Sequence, residues 1–436
     1  MKSSTVKSNN TTSAKLPFES GFFYGWMMVV IGGMGMFFSG PGQTYSNSVF
    51  VESYISNLGM ERTTVSTLYS AATLTSGCLL FFVGKLVDRI GRRIMLTLAA
   101  LLLGIACLFN SFVMGPIMLF IGFFMLRYFG QGSMTLIPNT LVSQWFFKYR
   151  GRALSFASLG GLLGAASFPP LINWLLDMYG FENTWRILGA ILIIIFAPIS
   201  YYFVRNRPED VGLLPDGAVQ HSGEHGEESK VLKEDSWTLS EAMRTKAFWF
   251  VMICAAIPAM IYTGITFQIF SILGEQGIDR MRTAFVLSLV PLISFGFSLI
   301  SGFIVERVKV NRMLAATFLL NMAAPIILLF AETYAIVILF AVAWGVAQGF
   351  MNIPMNVIWP TYYGRQHLGS IQSITTMAGV IGSALGPIPF GLAYDQFGSY
   401  SSILIVSAAI WAVGALLALM AKQPRRVNNS MNDSII

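Results

Sequence analysis

Charged residues are scarce in this chain. Of its 436 residues only 11% are Asp, Glu, Lys or Arg, whereas 55% are hydrophobic, and the mean hydropathy is +0.64. A soluble globular domain carries about 25% charged residues. With so little charge the chain cannot shield its apolar surface from water. The composition therefore excludes a soluble fold and predicts that lipid solvates most of the molecule.

Residues and motifs that would support other functions are missing as well. The three cysteines (Cys78, Cys107 and Cys254) fall inside apolar stretches, so we expect no disulfides. No Gly-x-x-x-x-Gly-Lys sequence is present to cradle a nucleotide, which argues against ATP-driven transport. The apolar stretches lack the clustered His, Asp or Glu that a membrane-embedded enzyme would need. We therefore predict neither an enzyme nor a cofactor.

Twelve apolar stretches are present instead. Each is close to the ~20 residues that a helix needs to cross a bilayer, and is too long for a barrel strand. The predicted fold is an all-α membrane protein with twelve transmembrane helices in two pseudo-symmetric six-helix halves. The stretches lie roughly at 23–51 (with Tyr45 as an alternative end), 62–84, 94–111, 115–141, 153–176, 184–204, 246–272, 282–304, 312–331, 335–360, 370–393 and 400–421.

Lys and Arg are distributed unevenly among the predicted loops. If both termini are cytoplasmic, 23 of the 28 lie on the cytoplasmic side, four on the outer side and one within a span. Because this obeys the positive-inside rule, the net charge of +7 is expected to set topology and contact lipid, and no nucleic-acid partner is expected. The predicted segments are a cytoplasmic tail at 1–22, a half at 23–204, a cytoplasmic linker at 205–245, a half at 246–421 and a cytoplasmic tail at 422–436.

The sequence also repeats itself at a fixed distance. Gly84, Asp88 and Arg89 recur 218 positions later as Gly302, Glu306 and Arg307, and four further residues recur at the same offset. These are Gly164, Pro169, Asp177 and Gly180, which recur as Gly382, Pro387, Asp395 and Gly398. Two similar halves that rock around a shared central site are the construction of alternating-access transporters.

The loop after the second stretch reads Gly84-Lys85-Leu86-Val87-Asp88-Arg89-Ile90-Gly91-Arg92-Arg93. Its spacing resembles the signature of the major facilitator superfamily, and with the twelve stretches and the second copy this resemblance covers the whole chain. The resemblance implies that the loop is a cytoplasmic gate and does not bind substrate. The gating residues would be Gly84, Asp88, Arg89, Gly91, Arg92 and Arg93, with Glu306 and Arg307 in a second copy where Lys309 replaces the second glycine.

A narrower resemblance lies at 145–160. Phe146, Lys148, Arg150, Ala153, Ala157 and Gly160 fit the monocarboxylate-porter pattern without gaps, although Trp145 replaces its tyrosine. The chain is also similar to the oxalate–formate antiporters. These families carry cations at positions that are Ser298 and Thr375 here, so the resemblance supports a transporter more firmly than a monocarboxylate substrate.

Arg127 is the only charge deep inside a predicted span. A charge in that position costs several kcal/mol and is a functional candidate by default. One interpretation is an anion anchor or a coupling residue; the other is a buried arginine that ties neighbouring carbonyls to hold the first or second helix. No Asp or Glu lies centrally in a span, so a coupled proton would travel with the substrate or on an outer-end carboxylate. Exchange against a counter-anion or facilitated diffusion would also fit.

The resemblance implies a cavity lined by the first, fourth, seventh and tenth helices. Those stretches carry polar groups that lipid disfavours, and buried amides need partners. Each one either faces this cavity or bonds a neighbouring helix, and as a set we expect them to line it with Arg127. They are Gln43, Tyr45, Gln131, Asn139, Tyr262, Gln268, Gln348, Asn352 and Asn356. Gly40-Pro41-Gly42, Pro138 and Pro354 are expected to break three of these helices.

The sequence thus predicts a secondary transporter in the plasma or bacterial inner membrane. The expected substrate is a small organic anion, a carboxylate in the first instance, carried by rocker-switch alternating access. Two alternatives stay open at this point. One is an exporter of neutral or cationic drug-like compounds. The other is a membrane receptor or sensor, although the chain lacks the long soluble output region typical of that class.

Overall fold

The computed structural model describes residues 23–146, 149–214, 216, 237–305, 307–364 and 368–424. Within these ranges the regular structure is entirely helical. The predicted tail at 1–22, residues 425–436 of the predicted tail at 422–436, and residues 215 and 217–236 of the predicted linker at 205–245 lie outside them. The helices of the first half are α1 (Gly25–Phe38), α2 (Thr44–Leu58), α3 (Arg62–Ile90), α4 (Arg92–Asn110), α5 (Pro116–Trp145), α6 (Arg150–Ile191) and α7 (Ala197–Phe203).

The second half begins after a short helix, α8 (Leu239–Met243), which Thr238 and Glu241 cap reciprocally. Its remaining helices are α9 (Lys246–Glu275), α10 (Arg280–Val305), α11 (Val310–Leu329), α12 (Tyr334–Tyr363), α13 (Leu368–Leu385), α14 (Pro387–Phe397) and α15 (Ser401–Met420). Most ends lie within about four residues of the predicted stretches.

Ten helical segments in the described ranges are long and apolar enough to cross a membrane. One of them, Arg152–Phe203, has 52 residues and turns at Gly180, whose φ of 76° is a conformation that glycine adopts without strain. The two ends of this segment lie close to each other. The indole of Trp145, before the segment, donates a hydrogen bond to the carbonyl of Arg205, after the segment. With this segment counted as two spans and α1–α2 as another, the helices fit the twelve-span fold.

One predicted helix break is present and two are not. Gly40–Gly42 forms a 3-10 turn between α1 and α2. In contrast, Pro138 and Pro354 lie inside uninterrupted α-helix, so the prediction that they break their helices was wrong. Pro138 packs against Gly35 of α1, where the absence of a side chain leaves room for the ring. The irregular part of α5 lies earlier, in a π-helical segment at Leu126–Ser133.

Close helix contacts use small residues. Gly160 of α6 lies against the carbonyl of Gly33 in α1, and Gly189 lies 2.8 Å, measured from an ideal Cβ, from the carbonyl of Gly104 in α4. In the second half Gly382 of α13 approaches the carbonyl of Ala256 in α9 in the same way. Small residues permit such backbone approach in a membrane, where packing rather than burial from water drives association.

Candidate functional site

A cavity of about 350 Å³ lies among α9, α10 and α12 of the second half. Its polar lining comes from Tyr262, Ser294, Gln348 and Asn352, and none of these side chains is charged. Tyr262 stacks obliquely on buried Trp344, with ring centroids 5.2 Å apart. The cavity therefore brings together three of the predicted site residues, Tyr262, Gln348 and Asn352.

The same polar residues recur in the first half. Gln131, Thr135 and Asn139 of α5, which we call the first amide stripe, stand 217 positions before Gln348, Asn352 and Asn356 of α12, the second amide stripe. Asn139, Asn352 and Asn356 are exposed although they lie mid-helix, whereas Gln131 and Gln348 are half-buried. Tyr45 of α2 and Tyr262 of α9 are a further pair at this offset.

Much of the stripes' hydrogen-bonding capacity is unused. The Asn139 amide donates to the Thr135 carbonyl at 2.9 Å, and the Asn356 amide donates to the Asn352 carbonyl at 2.8 Å. An asparagine amide also has a second N–H and a carbonyl oxygen, and no hydrogen bond within the described part of the chain uses those of Asn139 and Asn356. The Gln348 Nε2 is buried without a hydrogen-bond partner in the described part of the chain.

Arg127 lies on α5, four residues before the first amide stripe begins at Gln131, and is only 2% exposed. Its Nε donates to Thr73 Oγ1 at 3.1 Å, and its Nη1 donates to the Gly42 carbonyl at 3.3 Å and to Thr44 Oγ1 at 3.2 Å. The Tyr69 ring lies 5.1 Å below the guanidinium. These contacts tie α5 to α3 and to the helix break, as the second interpretation of Arg127 describes. All are with neutral groups, and Nη2 has no partner among the described residues.

The break between α1 and α2 frees backbone carbonyls that need donors. Asn47 donates to the carbonyls of Pro41 and Gln43, and Arg127 covers that of Gly42. The Gln43 side chain bonds Ser39 Oγ at 3.0 Å and is half-buried. The break is thus stabilised by side chains around it, which is the condition for irregular backbone at membrane depth.

Gln268 lies elsewhere, in a buried contact between the two halves. Its Nε2 donates to Ser66 Oγ at 2.8 Å, and its Oε1 accepts from Arg62 and from the Tyr400 hydroxyl, both at 3.3 Å. Arg62 also pairs with Glu52 at 2.7 Å. Asn352 and Tyr262 line the cavity, whereas Gln268 belongs to this network at one end of the helical bundle, which we call the closed end.

A second arginine crosses between the halves at the closed end. Arg280, at the start of α10, donates to the Val49 carbonyl at 2.6 Å and to Asn173 Oδ1 at 3.3 Å. Asn173 in turn donates to Asp177 at 3.2 Å. On the other side Asp395 accepts from the backbone N–H of Thr63 at 2.8 Å. Among the described residues, five hydrogen bonds therefore join the halves here.

These closed-end arginines were missed as functional residues by the sequence reasoning, which placed both in outer loops. A signal was available, because Arg62 and Arg280 stand 218 positions apart. That is also the offset between Asp177 and Asp395, which lie at the closed end with them. The internal repeat therefore includes the residues that join the halves at the closed end, which we call the seal. It also includes the predicted gating loops.

The predicted gating loop lies at the opposite end of the bundle. Gly91 has a φ of 95°, and an added Cβ would meet the Asn206 side chain at 2.8 Å. The Asn206 Oδ1 accepts from the Arg93 backbone N–H, and the Arg93 guanidinium donates to the Tyr201 carbonyl and stacks on its ring. The loop is therefore anchored to α7 of its own half.

The other predicted gating residues are placed only in part. Gly84 and Arg89 lie in the last turns of α3, with Arg89 exposed, and Arg92 is a largely buried residue at the start of α4. The backbone of Asp88 is helical, but its side chain lies outside the described part of the structure. Glu306 lies outside the described residues altogether, and Arg307 next to it is exposed.

Comparisons with known proteins agree with this architecture. The family model of the Major Facilitator Superfamily matches residues 32–387. A crystal structure of a bacterial homologue of the human lysosomal transporter Spinster, inward-facing and unoccupied, superimposes with a TM-score of 0.67 at 14% identity, covering 93% of this chain and 100% of that one. Such low identity shows the fold alone.

Three curated relatives are similar over most of their lengths. A probable L-galactonate transporter of Escherichia coli (strain K12) is 22% identical over 86% of this chain and 84% of its own. Monocarboxylate transporter 13 of Rattus norvegicus is 23% identical over 76% and 73%. The multidrug resistance protein MdtG of Dickeya zeae is 24% identical over 90% and 95%.

The family and the relatives named above are membrane transporters and not enzymes, which confirms the prediction of a non-enzymatic, integral membrane carrier of small molecules. The resemblance to the superfamily drawn from the loop motif is confirmed as well. With its helical spans, its internal repeat and a matching family model over residues 32–387, the chain belongs to the major facilitator superfamily.

Proposed function

We propose that the protein is a secondary transporter of a small organic anion, in the first instance a carboxylate, and works by alternating access. One observation carries the anion: the Arg127 guanidinium is buried without an acidic partner in the described structure, and the described lining of the cavity is polar and uncharged. Its positive charge favours an anion in that space and disfavours a cation.

The size of this preference follows from helix geometry. Arg127 and Gln131 are four residues apart, which corresponds to about 6 Å along a helix. At an effective dielectric constant of about 20, unit charges at that distance interact by about 3 kcal/mol. An anion bound at Gln131, at about that distance from the guanidinium, would be preferred roughly 100-fold over a neutral molecule of the same shape. Arg127 would thus act through its field, while the stripes would contact the substrate.

Similar proteins support the same substrate class in part. The probable L-galactonate transporter and monocarboxylate transporter 13 are named for acids, whereas MdtG is named for drug resistance. Export of a cationic drug-like compound fits this cavity less well, because no described lining side chain is acidic and Arg127 repels a cation. A coupled proton and a counter-anion are both compatible with the proposal.

The proposed orientation follows from the Lys and Arg distribution. The closed end would face outward and the loop containing Gly91 would face the cytoplasm, together with both termini. The five hydrogen bonds at the closed end would then seal the outer side, with the cavity reached from the cytoplasm of a bacterial cell.

Ligand-induced thermal stabilisation of the purified protein tests the proposal. Lactate, oxalate and gluconate are compared with the cation choline and the neutral polyol glucitol. Arg127→Gln keeps a donor but removes the charge, whereas Arg127→Lys keeps the charge. Arg186→Ala is the control, because Arg186 is exposed and pairs with Glu182 on the surface.

Stabilisation by at least one carboxylate, lost in Arg127→Gln and kept in Arg127→Lys and Arg186→Ala, is the expected result. Uptake of the same acid into proteoliposomes should fall about 100-fold in Arg127→Gln, in line with the 3 kcal/mol interaction. Stabilisation by choline or glucitol alone would leave the transporter family standing and reject an organic-anion substrate.

A further inference from the structure

The two amide stripes present matched hydrogen-bonding groups on opposite halves of the molecule. Each stripe has three residues at positions i, i+4 and i+8 of its helix, so each extends over about 12 Å. Gln131 corresponds to Gln348 and Asn139 to Asn356, while Thr135 corresponds to Asn352. Both helices thus offer a ladder of uncharged polar groups of the same length.

These groups can donate and accept at once. An amide has two N–H donors and a carbonyl acceptor, and only one donor of Asn139 and of Asn356 is used within its own helix. The Gln348 Nε2 is buried and unpartnered in the described structure. A buried polar group without a partner costs about 1–3 kcal/mol, so a ligand that supplies an acceptor there gains that amount.

A bare carboxylate does not match such a lining. An ionised carboxylate is acceptor-only, and an alkyl chain would leave the remaining amides unpaired. A hydroxyl group both donates and accepts hydrogen bonds. It can therefore pair with the unused Oδ1 acceptors and N–H donors of Asn139 and Asn356. Because the stripes extend along both helices, they can engage several hydroxyls of one short carbon chain.

We propose that the substrate is a polyhydroxylated carboxylate, whose hydroxyl groups bind the polar lining of the cavity, to which the second amide stripe contributes Gln348 and Asn352. This inference rests on the proposed organic-anion function and adds to it the chemistry of the rest of the substrate. A site built to bond hydroxyls rejects the analogue that lacks them, because its polar groups are then left unpaired. The stripes are thus the determinants of specificity, and Arg127 sets the preference for charge.

The two halves differ at one position that orients this substrate. Counting 217 residues from Arg127 gives Trp344, which is buried and stacks between Phe340 and Tyr262. The first half therefore has a cation where the second has an aromatic ring. The carboxylate is placed toward the first half, and the hydroxylated chain extends toward Tyr262 and the second stripe.

A matched pair of acids tests the proposal. Gluconate and hexanoate have the same chain length and the same charge, but only gluconate carries hydroxyls on its chain. Their dissociation constants are measured by calorimetry for the full-length protein and for Asn352→Leu and Asn356→Leu. Thr361→Val is the control, because Thr361 lies on the same helix as Asn356, is exposed, and its hydroxyl donates to the Val357 carbonyl of its own helix.

Gluconate is expected to bind at least tenfold more tightly than hexanoate. Each Asn→Leu substitution should weaken gluconate about 5- to 10-fold, as for one lost hydrogen bond, and leave hexanoate unchanged or tighter. Thr361→Val should bind as the unsubstituted protein does. Equal binding of both acids, sensitive to Arg127→Gln but not to Asn356→Leu, would overturn the hydroxyl inference and leave the anion carrier standing. Binding of neither acid, with binding of choline or glucitol, would overturn both.

Discussion

Removal of Arg280 is expected to open the closed end. Its guanidinium donates to the Val49 carbonyl at 2.6 Å and to Asn173 at 3.3 Å, and both acceptors belong to the other half. A hydrogen bond from a charged group contributes about 1.5–3 kcal/mol. Because these bonds exist only while the halves touch at this end, a loss of about 2 kcal/mol shifts the ratio of closed to open conformers roughly 30-fold.

The distance between the two halves reports this shift directly. Nitroxide labels at Met114→Cys and Phe330→Cys stand at the closed end on different halves, where both side chains are largely exposed. The background carries Cys78→Ser, since Cys78 is exposed while the other two cysteines are buried. Pulsed electron resonance then measures the label separation in Arg280→Ala and in the unsubstituted protein.

Arg282 provides the matched control two residues away. It is exposed and pairs with Asp279 of its own half at 3.0 Å, so its removal should leave the distance distribution unchanged. Arg280→Ala should instead populate a longer distance. If both variants gave the distribution of the unsubstituted protein, Arg280 would not hold the halves together and the assignment of the seal would be refuted.

Two further variants probe packing and the other side of the seal. Gly160→Ala would place its Cβ against the Gly33 carbonyl and should lower the free energy of unfolding by about 1–3 kcal/mol. Gly161→Ala is the control and should be almost neutral, because the nearest atom to its Cβ is 3.8 Å away. Thermal unfolding in detergent compares the two variants, and equal melting temperatures would contradict the packing argument. Asp395→Ala removes the acceptor for the Thr63 N–H at the start of α3 and should lengthen the same label distance, which an unchanged distribution would disprove.

The helical spans were predictable because lipid leaves the backbone few choices. A bilayer requires runs of about 20 apolar residues whose polar backbone groups bond internally, so composition alone locates them. The interior prolines could not be judged in this way. Pro138 is accommodated because α1 presents Gly35 opposite its ring, and that contact depends on which helices are neighbours.

The site was predictable as a set of residue types but not as a set of positions. Gln268 and Tyr262 lie six residues apart on α9, yet one joins the seal and the other lines the cavity. Sequence shows that both are polar in an apolar helix. Which of the two residues contacts the other half depends on the relative orientation of the halves. That orientation is set by the contacts between the halves. The internal repeat is a partial exception, since the offset of 218 pairs Arg62 with Arg280 in the seal, although the offset of 217 pairs Arg127 with the dissimilar Trp344.

Helix α9 carries residues of both the cavity and the seal, which suggests how binding drives opening. On α2, Tyr45 is followed seven residues later by Glu52 of the seal, and on α9, Tyr262 is followed six residues later by Gln268. Each interval is about 10 Å of rigid helix. A ligand can move the conformational equilibrium only by its difference in affinity for the two states. We therefore expect an occupant of the cavity to offset the hydrogen bonds of Arg62 and Arg280 through contacts to Tyr262 that strengthen as the halves tilt.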